Sequence, residues 1–486
     1  MKTLTQEEIQ GIIERVQARL GQAGPDAGAG LRAEEELART SQAELGEGIF
    51  ATIDEAVAAA SRAFQAYGRI GLDGRKRIVA SIRSAMLENA ERLGEMAHAE
   101  TGLGRAADKA RKNVLVATKT PGPEDLESEA ATGDKGMMVT EFAPFGVVAA
   151  ITPTTNPTST VINNTISIIS AGNAVVFNVH PNAKRVSAEN VRLINRAIVA
   201  AGGPENLVAA IPEPTIDSAK ELMHHPDVRL LLVTGGPGVV REALKSDKRA
   251  IAAGPGNPPA VVDQTADIDK AARDVIAGGS FDNNVVCTDE KTTIVVDSVA
   301  DRLVRAMAQH GAYVLKEHEL RRLERVIFKE MGPPNKPGVI DPQWIGKNAS
   351  VILAEIGIRV GDEVRLAVAE VPTEHTLVWT EQMMPVMPVA RVPNADQAID
   401  LAVRSEHGFR HTAVIHSTNI GTITRMARAM NCSIFVANGP NFAGLGEGGE
   451  GFASYSIASP TGDGLTRART FCRERRITVV GALRIV

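Results

Sequence analysis

Short apolar runs alternating with helical patterns constrain this chain more than any other feature. Gly146 to Ile151, Ala174 to Val179 and Leu230 to Val233 read as strands, and helical spacing fills the stretches between them. Upstream, Ile53 to Tyr67 and Lys76 to Glu100 carry helical patterns alone; downstream, a second alternating series runs from Ala260 to about Val436. Such alternation is the signature of an α/β fold. At 486 residues the chain is too long for one simple core, so two or three packed domains are expected.

Two leading segments stand apart from that series. Residues 4 to 20 place Leu4, Ile9, Ile12, Ile13, Val16 and Leu20 at three- and four-residue spacings with charges between them, which predicts an amphipathic helix. Gly21 to about Gly46 is rich in Gly, Ala and Glu, has few large apolar groups, and reads as a flexible linker. The 53 basic and 58 acidic residues give a formal charge of -5 with no long basic run, so nucleic acid is not an expected partner. No stretch approaches the roughly 20 apolar residues of a membrane span, and the N-terminus lacks a secretory apolar core, so a soluble protein is expected. The three cysteines, Cys287, Cys432 and Cys472, form no Cys-x-x-Cys pair, and no metal site is expected. They point to a reducing, cytoplasmic compartment.

The segment Ser280-Phe-Asp-Asn-Asn-Val-Val-Cys287-Thr is a polar loop after the helix expected over Ile268 to Ala277. A loop can expose a thiol. The thiolate can attack an aldehyde carbonyl to give a thiohemiacetal, and loss of hydride to an oxidised nicotinamide leaves a thioester. The structural alternative is a buried, inert cysteine, which is common for a free thiol. In Ile151-Thr-Pro-Thr-Thr-Asn156-Pro-Thr a strand ends in a turn that leaves an amide before the next helix. Asn156 could donate to an oxyanion together with the Cys287 backbone N–H. Its structural alternative is a helix cap. The strand Leu230 to Val233 turns through Thr234-Gly235-Gly236-Pro-Gly238 into the helix Val239 to Leu244, where small residues and free N–H groups suit a dinucleotide phosphate. No G-x-G-x-x-G fingerprint is present there, and the alternative is a simple turn.

Thr154-Thr-Asn-Pro, Gly172-Asn-Ala-Val-Val-Phe, Val233-Thr-Gly-Gly, Ala253-Gly-Pro-Gly-Asn-Pro-Pro and Asn284-Val-Val-Cys287 occur in that order. Together they resemble the aldehyde dehydrogenase superfamily. Within it the chain is similar to the CoA-acylating propionaldehyde and acetaldehyde dehydrogenases of bacterial microcompartments, from about residue 45 to the end. Gly444-Leu-Gly-Glu-Gly-Gly-Glu-Gly-Phe452 and Ala458-Ser-Pro-Thr-Gly-Asp-Gly464 extend the likeness.

The resemblance implies Cys287 as nucleophile and Asn156 as oxyanion donor, with NAD as cofactor and coenzyme A as co-substrate. It places Thr154, Asn178, His180, Thr234, Gly235 and Gly236 along the cofactor, and Glu381, in Glu381-Gln-Met-Met-Pro385, on the nicotinamide ribose. Asn178 stands where the superfamily commonly has a ribose-binding Lys, so NAD against NADP stays open; Met384 stands where a Gly is usual in the Glu381 segment, whose alternative is a solvated loop acid. Hydrolytic relatives place a water-activating Glu within the segment matching Arg249 to Val262, which here has no acidic residue. Acyl transfer to CoA is therefore expected, with propanal favoured over acetaldehyde. A hydrolytic aldehyde dehydrogenase is the alternative, and a catalytically retired homologue a third. His411 could assist a thiol proton or be structural.

The implied fold is a Rossmann-like NAD-binding domain, an α/β catalytic domain and a small oligomerisation element. The expected division is a docking helix over 1–20, a linker over 21–46, the NAD-binding domain over 47–259, the catalytic domain over 260–440, and a return with an oligomerisation tail over 441–486. A strand pair near Gly136 to Ala143 should meet the tail Arg476 to Val486, and an unpaired edge there implies a homodimer or tetramer. By the same likeness residues 1–20 are expected to dock on a microcompartment shell protein, which places the enzyme inside such a compartment.

Overall fold

A computed structural model describes residues 45–484 and, before them, Glu7, Gln10, Gly11, Glu14, Arg15, Ala18 and Leu37. Of the amphipathic helix expected over 4–20, those six early residues are helical, and Gln10 Nε2 donates to Glu14 Oε1 at 3.1 Å. The apolar positions that define its stripe lie outside the described residues. Leu37 departs from the expected flexible linker: it is helical, buried in the main core, and lines a cavity with Ala99, Glu100 and Thr101. A single large apolar side chain can bury itself even where the surrounding composition is polar.

Four helices open the described body: α1 (Ile53–Tyr67), α2 (Leu72–Glu88), α3 (Ala90–Thr101) and α4 (Ala106–Lys119). Thr52 starts α1 by accepting the Glu55 N–H at 3.2 Å. The single helix expected over 76–100 is two, because Asn89 leaves helical geometry (φ -103°, ψ 7°) while its amide bonds the Ala85 carbonyl. An Asn side chain competes with the helix for its own backbone, and apolar periodicity does not register the break.

Strands β1 (Glu129–Gly133) and β2 (Gly136–Pro144) precede the first parallel sheet, made of β3 (Val147–Ile151), β4 (Ala174–Asn178), β5 (Val208–Ala210), β6 (Val228–Thr234) and β7 (Ala250–Ala253) in the order β5-β4-β3-β6-β7. Its helices are α5 (Pro157–Ser170), α6 (Lys184–Ala200), α7 (Ile216–His224) and α8 (Pro237–Leu244). Chain order reverses between β3 and β6, so the loops leaving those strands diverge and open a crevice at their carboxyl ends. Both β3 and β4 are buried throughout, as is every residue of α5. Apolar runs without polar alternation are what a sheet covered on both faces requires.

The second parallel sheet contains β8 (Pro259–Val262), β9 (Thr292–Val296), β10 (Tyr313–Val314), β13 (Ala367–Val371), β14 (Val386–Val392), β15 (Thr412–His416) and β16 (Ile434–Ala437), ordered β10-β13-β14-β9-β8-β15-β16. Short antiparallel pairs β11 (Phe328–Glu330) with β12 (Val339–Ile340), and β17 (Ile457–Ala458) with β18 (Gly464–Leu465), lie outside it. Helix α9 (Ile268–Gly279) leads from β8 toward the Cys287 loop. The tail strand β19 (Cys472–Val480) pairs antiparallel with β2, from Cys472 opposite Pro144 to Val480 opposite Gly136, in a sheet ordered β1-β2-β19. It thus starts four residues before the expected Arg476 and ends at Val480 rather than at the chain end. Among the described residues no helix is long and apolar enough to cross a membrane.

Candidate active site

The chain between α9 and β9 is an uncommon backbone path. Asp282, Asn283 and Asn284 adopt φ of 44°, 56° and 66°, three successive left-handed residues without a glycine. Such geometry costs on the order of 1 kcal/mol per residue and is tolerated best by Asp and Asn. Side-chain bonds hold it. Asn283 Nδ2 donates to Gly346 O at 2.9 Å and Asn348 Oδ1 at 2.8 Å, while Asn284 Nδ2 donates to Gly279 O and Glu290 O. Lys291, fully buried, donates to Asn284 O, Asn284 Oδ1 and Val286 O at 2.7, 2.8 and 3.1 Å. The loop therefore presents Cys287 from a rigid base.

Cys287 is partly accessible. Its thiol is pushed up to about 12, first by burial, then by the Glu381 carboxylate, with Lys291 opposing. In this state the residue is a thiol. Its carbonyl faces Gly256, where a Cβ would stand 2.7 Å from that oxygen and 3.1 Å from His411 Cγ. Gly256 N in turn donates to Glu381 Oε1 at 3.3 Å, and burial raises Glu381 above the usual carboxylate range. Cys287, Gly256, His411 and Glu381 thus converge from four separate segments. His411 is buried, its Nδ1 lies 2.8 Å from Thr412 Oγ1, and its Nε2 has no partner. Burial, aided by Lys291, drops its imidazole to about 4, so it is neutral at pH 7. A cavity of about 610 Å³ opens beside Glu381, walled by Trp379, His407 and Phe409.

Asn156 sits where β3 hands over to α5. It occupies the N-cap position, with Pro157 at the first helical turn, but its side chain makes no cap bond. The capping alternative therefore does not account for the amide. Oδ1 accepts from Lys112 Nζ at 2.6 Å, and Nδ2 donates to Thr155 Oγ1 at 3.1 Å. The same Lys112 bonds Asp282 Oδ2 at 2.5 Å, which ties the amide to the Cys287 loop.

The other positions border the crevice at the ends of β3, β4 and β6. Thr154 keeps an unpartnered hydroxyl. Thr234 Oγ1 lies 2.7 Å from Ser456 Oγ. A Cβ at Gly235 or Gly236 would meet nothing within 4 Å, and α8 begins immediately beyond, so space and free helix N–H groups suit a pyrophosphate. Asn178 is different: its Nδ2 donates to Thr215 O at 3.3 Å and its Oδ1 accepts from Ser218 Oγ at 2.6 Å. That amide is engaged in holding the start of α7 and is buried. His180 Nδ1 accepts the Asn182 N–H at 3.1 Å, closing a short turn.

The aldehyde dehydrogenase family model matches residues 34–321 and 365–453. The acetylating acetaldehyde dehydrogenase EutE of Salmonella typhimurium is 50% identical over 440 residues, covering 90% of this chain and 94% of that one. The chain belongs to the aldehyde dehydrogenase family. Among solved structures, this dehydrogenase is similar to the propionaldehyde dehydrogenase of Rhodopseudomonas palustris with bound CoA and an acylated cysteine, at TM-score 0.88 and 45% identity, over 91% of this chain and 100% of that one. It is also similar to the propionaldehyde dehydrogenase of the Clostridium phytofermentans fucose utilisation microcompartment, at TM-score 0.87 and 43% identity, over 90% and 100% of the two chains.

Several residues of this dehydrogenase site escape the sequence reading. Lys109, Lys112 and Asp282 form a buried charged cluster beneath Asn156, and Lys291 braces the loop from behind. The Asp-Asn-Asn run was the available signal for the left-handed path. The lysines gave none, because Lys109-Ala-Arg-Lys112 reads as an exposed helix face.

Proposed function

We propose that this dehydrogenase is CoA-acylating: it oxidises a short aliphatic aldehyde, propanal in preference to acetaldehyde, and passes the acyl group from Cys287 to CoA, with NAD as oxidant. The Cys287 thiolate attacks the aldehyde carbon. Asn156 Nδ2 and the Cys287 N–H stabilise the oxyanion, a contact worth about 3 kcal/mol in other enzymes. NAD, when bound along Thr234, Gly235 and Gly236 with its nicotinamide ribose on Glu381, supplies the hydride acceptor. The remaining thioester is attacked by the CoA thiolate through the same oxyanion site, and the Cys287 thiolate leaves. His411 at about 4 is too weak a base to take a thiol proton of ordinary pKa without an uphill transfer of several kcal/mol. It serves better as a neutral hydrogen-bonding wall.

The carrying observation is the end of β7. Ala252 and Ala253 are buried and apolar within the segment where hydrolytic relatives place a general base, which supports acyl transfer to CoA over hydrolysis. The test is NADH formation from propanal with and without CoA. Acyl-CoA and NADH in equal amounts are expected, and free acid at the same rate without CoA would favour the hydrolytic reading.

Two assembly readings belong with this function. Residues 1–20 dock on a microcompartment shell, the reading supported by the apolar spacing in their sequence and by the microcompartment relative. The β1-β2-β19 sheet joins subunits into a dimer or tetramer, supported by the exposed apolar Ile477 and Val480 on its tail strand.

A further inference from the structure

An amide can serve an oxyanion only if its NH2 end faces the substrate, and nothing in an isolated Asn decides which end that is. Here the choice is made by a buried cation. Lys112, on α4, is 1% exposed and donates to Asn156 Oδ1 at 2.6 Å and to Asp282 Oδ2 at 2.5 Å. A flipped Asn156 would set its NH2 against the Lys112 ammonium, two donors facing each other with no water to separate them. With the oxygen held, one amide proton goes to Thr155 Oγ1 and the second is left for a ligand.

The rest of the cluster fixes Lys112 itself. Asp282 is fully buried and also accepts from Lys109 Nζ at 3.1 Å and from the Arg105 N–H at 2.7 Å; its own N–H donates to Asp108 Oδ2 at 3.0 Å. Lys109 in turn donates to the Thr155 carbonyl at 3.1 Å, one residue before Asn156. Burial alone would raise the Asp282 carboxyl, but Lys109 and Lys112 hold it below the usual range and hence ionised. The carboxylate therefore sits between two ammonium groups, one bound to the Asn156 side chain and the other to the backbone before it. Asp282 also lies in the left-handed path to Cys287.

We infer that Lys112, anchored by Asp282, is a positioning residue that locks the Asn156 amide with its N–H toward the substrate oxyanion. The inference rests on Asn156 being the oxyanion donor, as proposed above. A hydrogen bond from a cation to the amide oxygen also polarises the amide, which makes its N–H a stronger donor to a developing negative charge.

A double-mutant cycle separates this from a packing role. Asn156→Ala is expected to lower kcat on the order of 10²-fold. Lys112→Met should lower kcat by a similar factor, while KM for NAD and the rate of Cys287 alkylation by iodoacetamide change less than about threefold. The double variant should be no slower than Asn156→Ala alone within about threefold, because the effect of Lys112 on turnover passes through that amide while Lys109 Nζ and the Arg105 N–H still hold Asp282 and the Cys287 loop. If Lys112→Met does not accumulate as folded protein, Lys112→Gln keeps an N–H donor in the slot and runs the same cycle with a smaller first loss. Unchanged kcat in Asn156→Ala would remove the oxyanion reading itself. A slow Asn156→Ala beside a full-speed Lys112 variant, or losses that multiply in the double variant, would overturn the role of Lys112 and leave that reading standing.

Discussion

Adding one methyl group at Gly256 probes the convergence of segments on Cys287 at its tightest point. A Cβ there would lie 2.7 Å from the Cys287 carbonyl oxygen and 3.1 and 3.3 Å from His411 Cγ and Cβ, against the 3.4 Å at which ordinary contact begins. Something must yield by about 0.7 Å, and the His411 ring is buried and cannot swing away. The least resisted movement displaces Cys287 relative to the Asn156 amide. If a 1 Å misplacement costs roughly 10²-fold, a shift of this size should lower kcat of Gly256→Ala by roughly 10- to 30-fold. Stability should fall by only about 1–3 kcal/mol, the usual range for overpacking. The same substitution at Gly236, where a Cβ meets nothing within 4 Å, is the internal control. Gly236→Ala should keep kcat and thermal stability and raise KM for NAD, because the methyl enters the space assigned to the pyrophosphate. Both variants would be assayed for propionyl-CoA and NADH at saturating NAD and CoA, with thermal melts alongside. Wild-type kcat in a folded Gly256→Ala would refute the tight-contact argument.

Cys287→Ser should abolish acyl-CoA formation with the fold retained, whereas Cys432→Ser should be nearly silent, since its sulfur only bonds the Ile434 carbonyl at 3.0 Å; substantial turnover in the first variant would sink the mechanism. Ala253→Glu should raise CoA-independent release of free acid by supplying a base at the end of β7, and a folded variant with no such increase would count against the account of the branch point. Because the Cys287 thiol is pushed up to about 12 in the cofactor-free protein, only its small thiolate fraction reacts, and alkylation by iodoacetamide should climb about tenfold per pH unit between roughly pH 7 and 9; a plateau reached by about pH 8 would show a much lower thiol pKa. Deleting residues 1–20 should leave specific activity within about twofold while abolishing co-purification with shells, and a truncated enzyme that still co-purifies would remove the docking role.

Strands β3, β4 and most of β6 were legible because both faces of the first sheet are covered, so their sequences are nearly pure apolar runs, whereas the short β5 and β7 were not read. The span of α1 was legible too, since its helical spacing runs from Ile53 to Tyr67, the range observed. Asn89 was not, because an amide on a helix face leaves the 3.6-residue period untouched. Cys287 and Asn156 were legible as residue types in a loop and a turn, but the link between them was not. It runs through Lys112 and Asp282, 170 positions apart, and a lysine whose counterion is that distant in sequence looks like any solvated lysine. Asn178 shows the converse: a polar residue at a strand end is an inviting cofactor contact on paper, yet its amide is engaged by Thr215 and Ser218.

The left-handed path before Cys287 also sets when activity can appear as the chain folds. Asp282 and Asn283 are held by bonds to residues near positions 104–112 and 346–348, on either side of the loop in the sequence, whereas Asn284 is held locally by Gly279, Glu290 and Lys291. A chain with its parallel sheets formed but these groups undocked would lack the bonds that keep Asp282 and Asn283 left-handed, and they would relax toward ordinary geometry. Such a species would have full secondary structure and a misaimed thiol. Upon dilution from denaturant, turnover should therefore recover after the far-ultraviolet signal, and a partly assembled chain would carry no competent nucleophile to acylate in error.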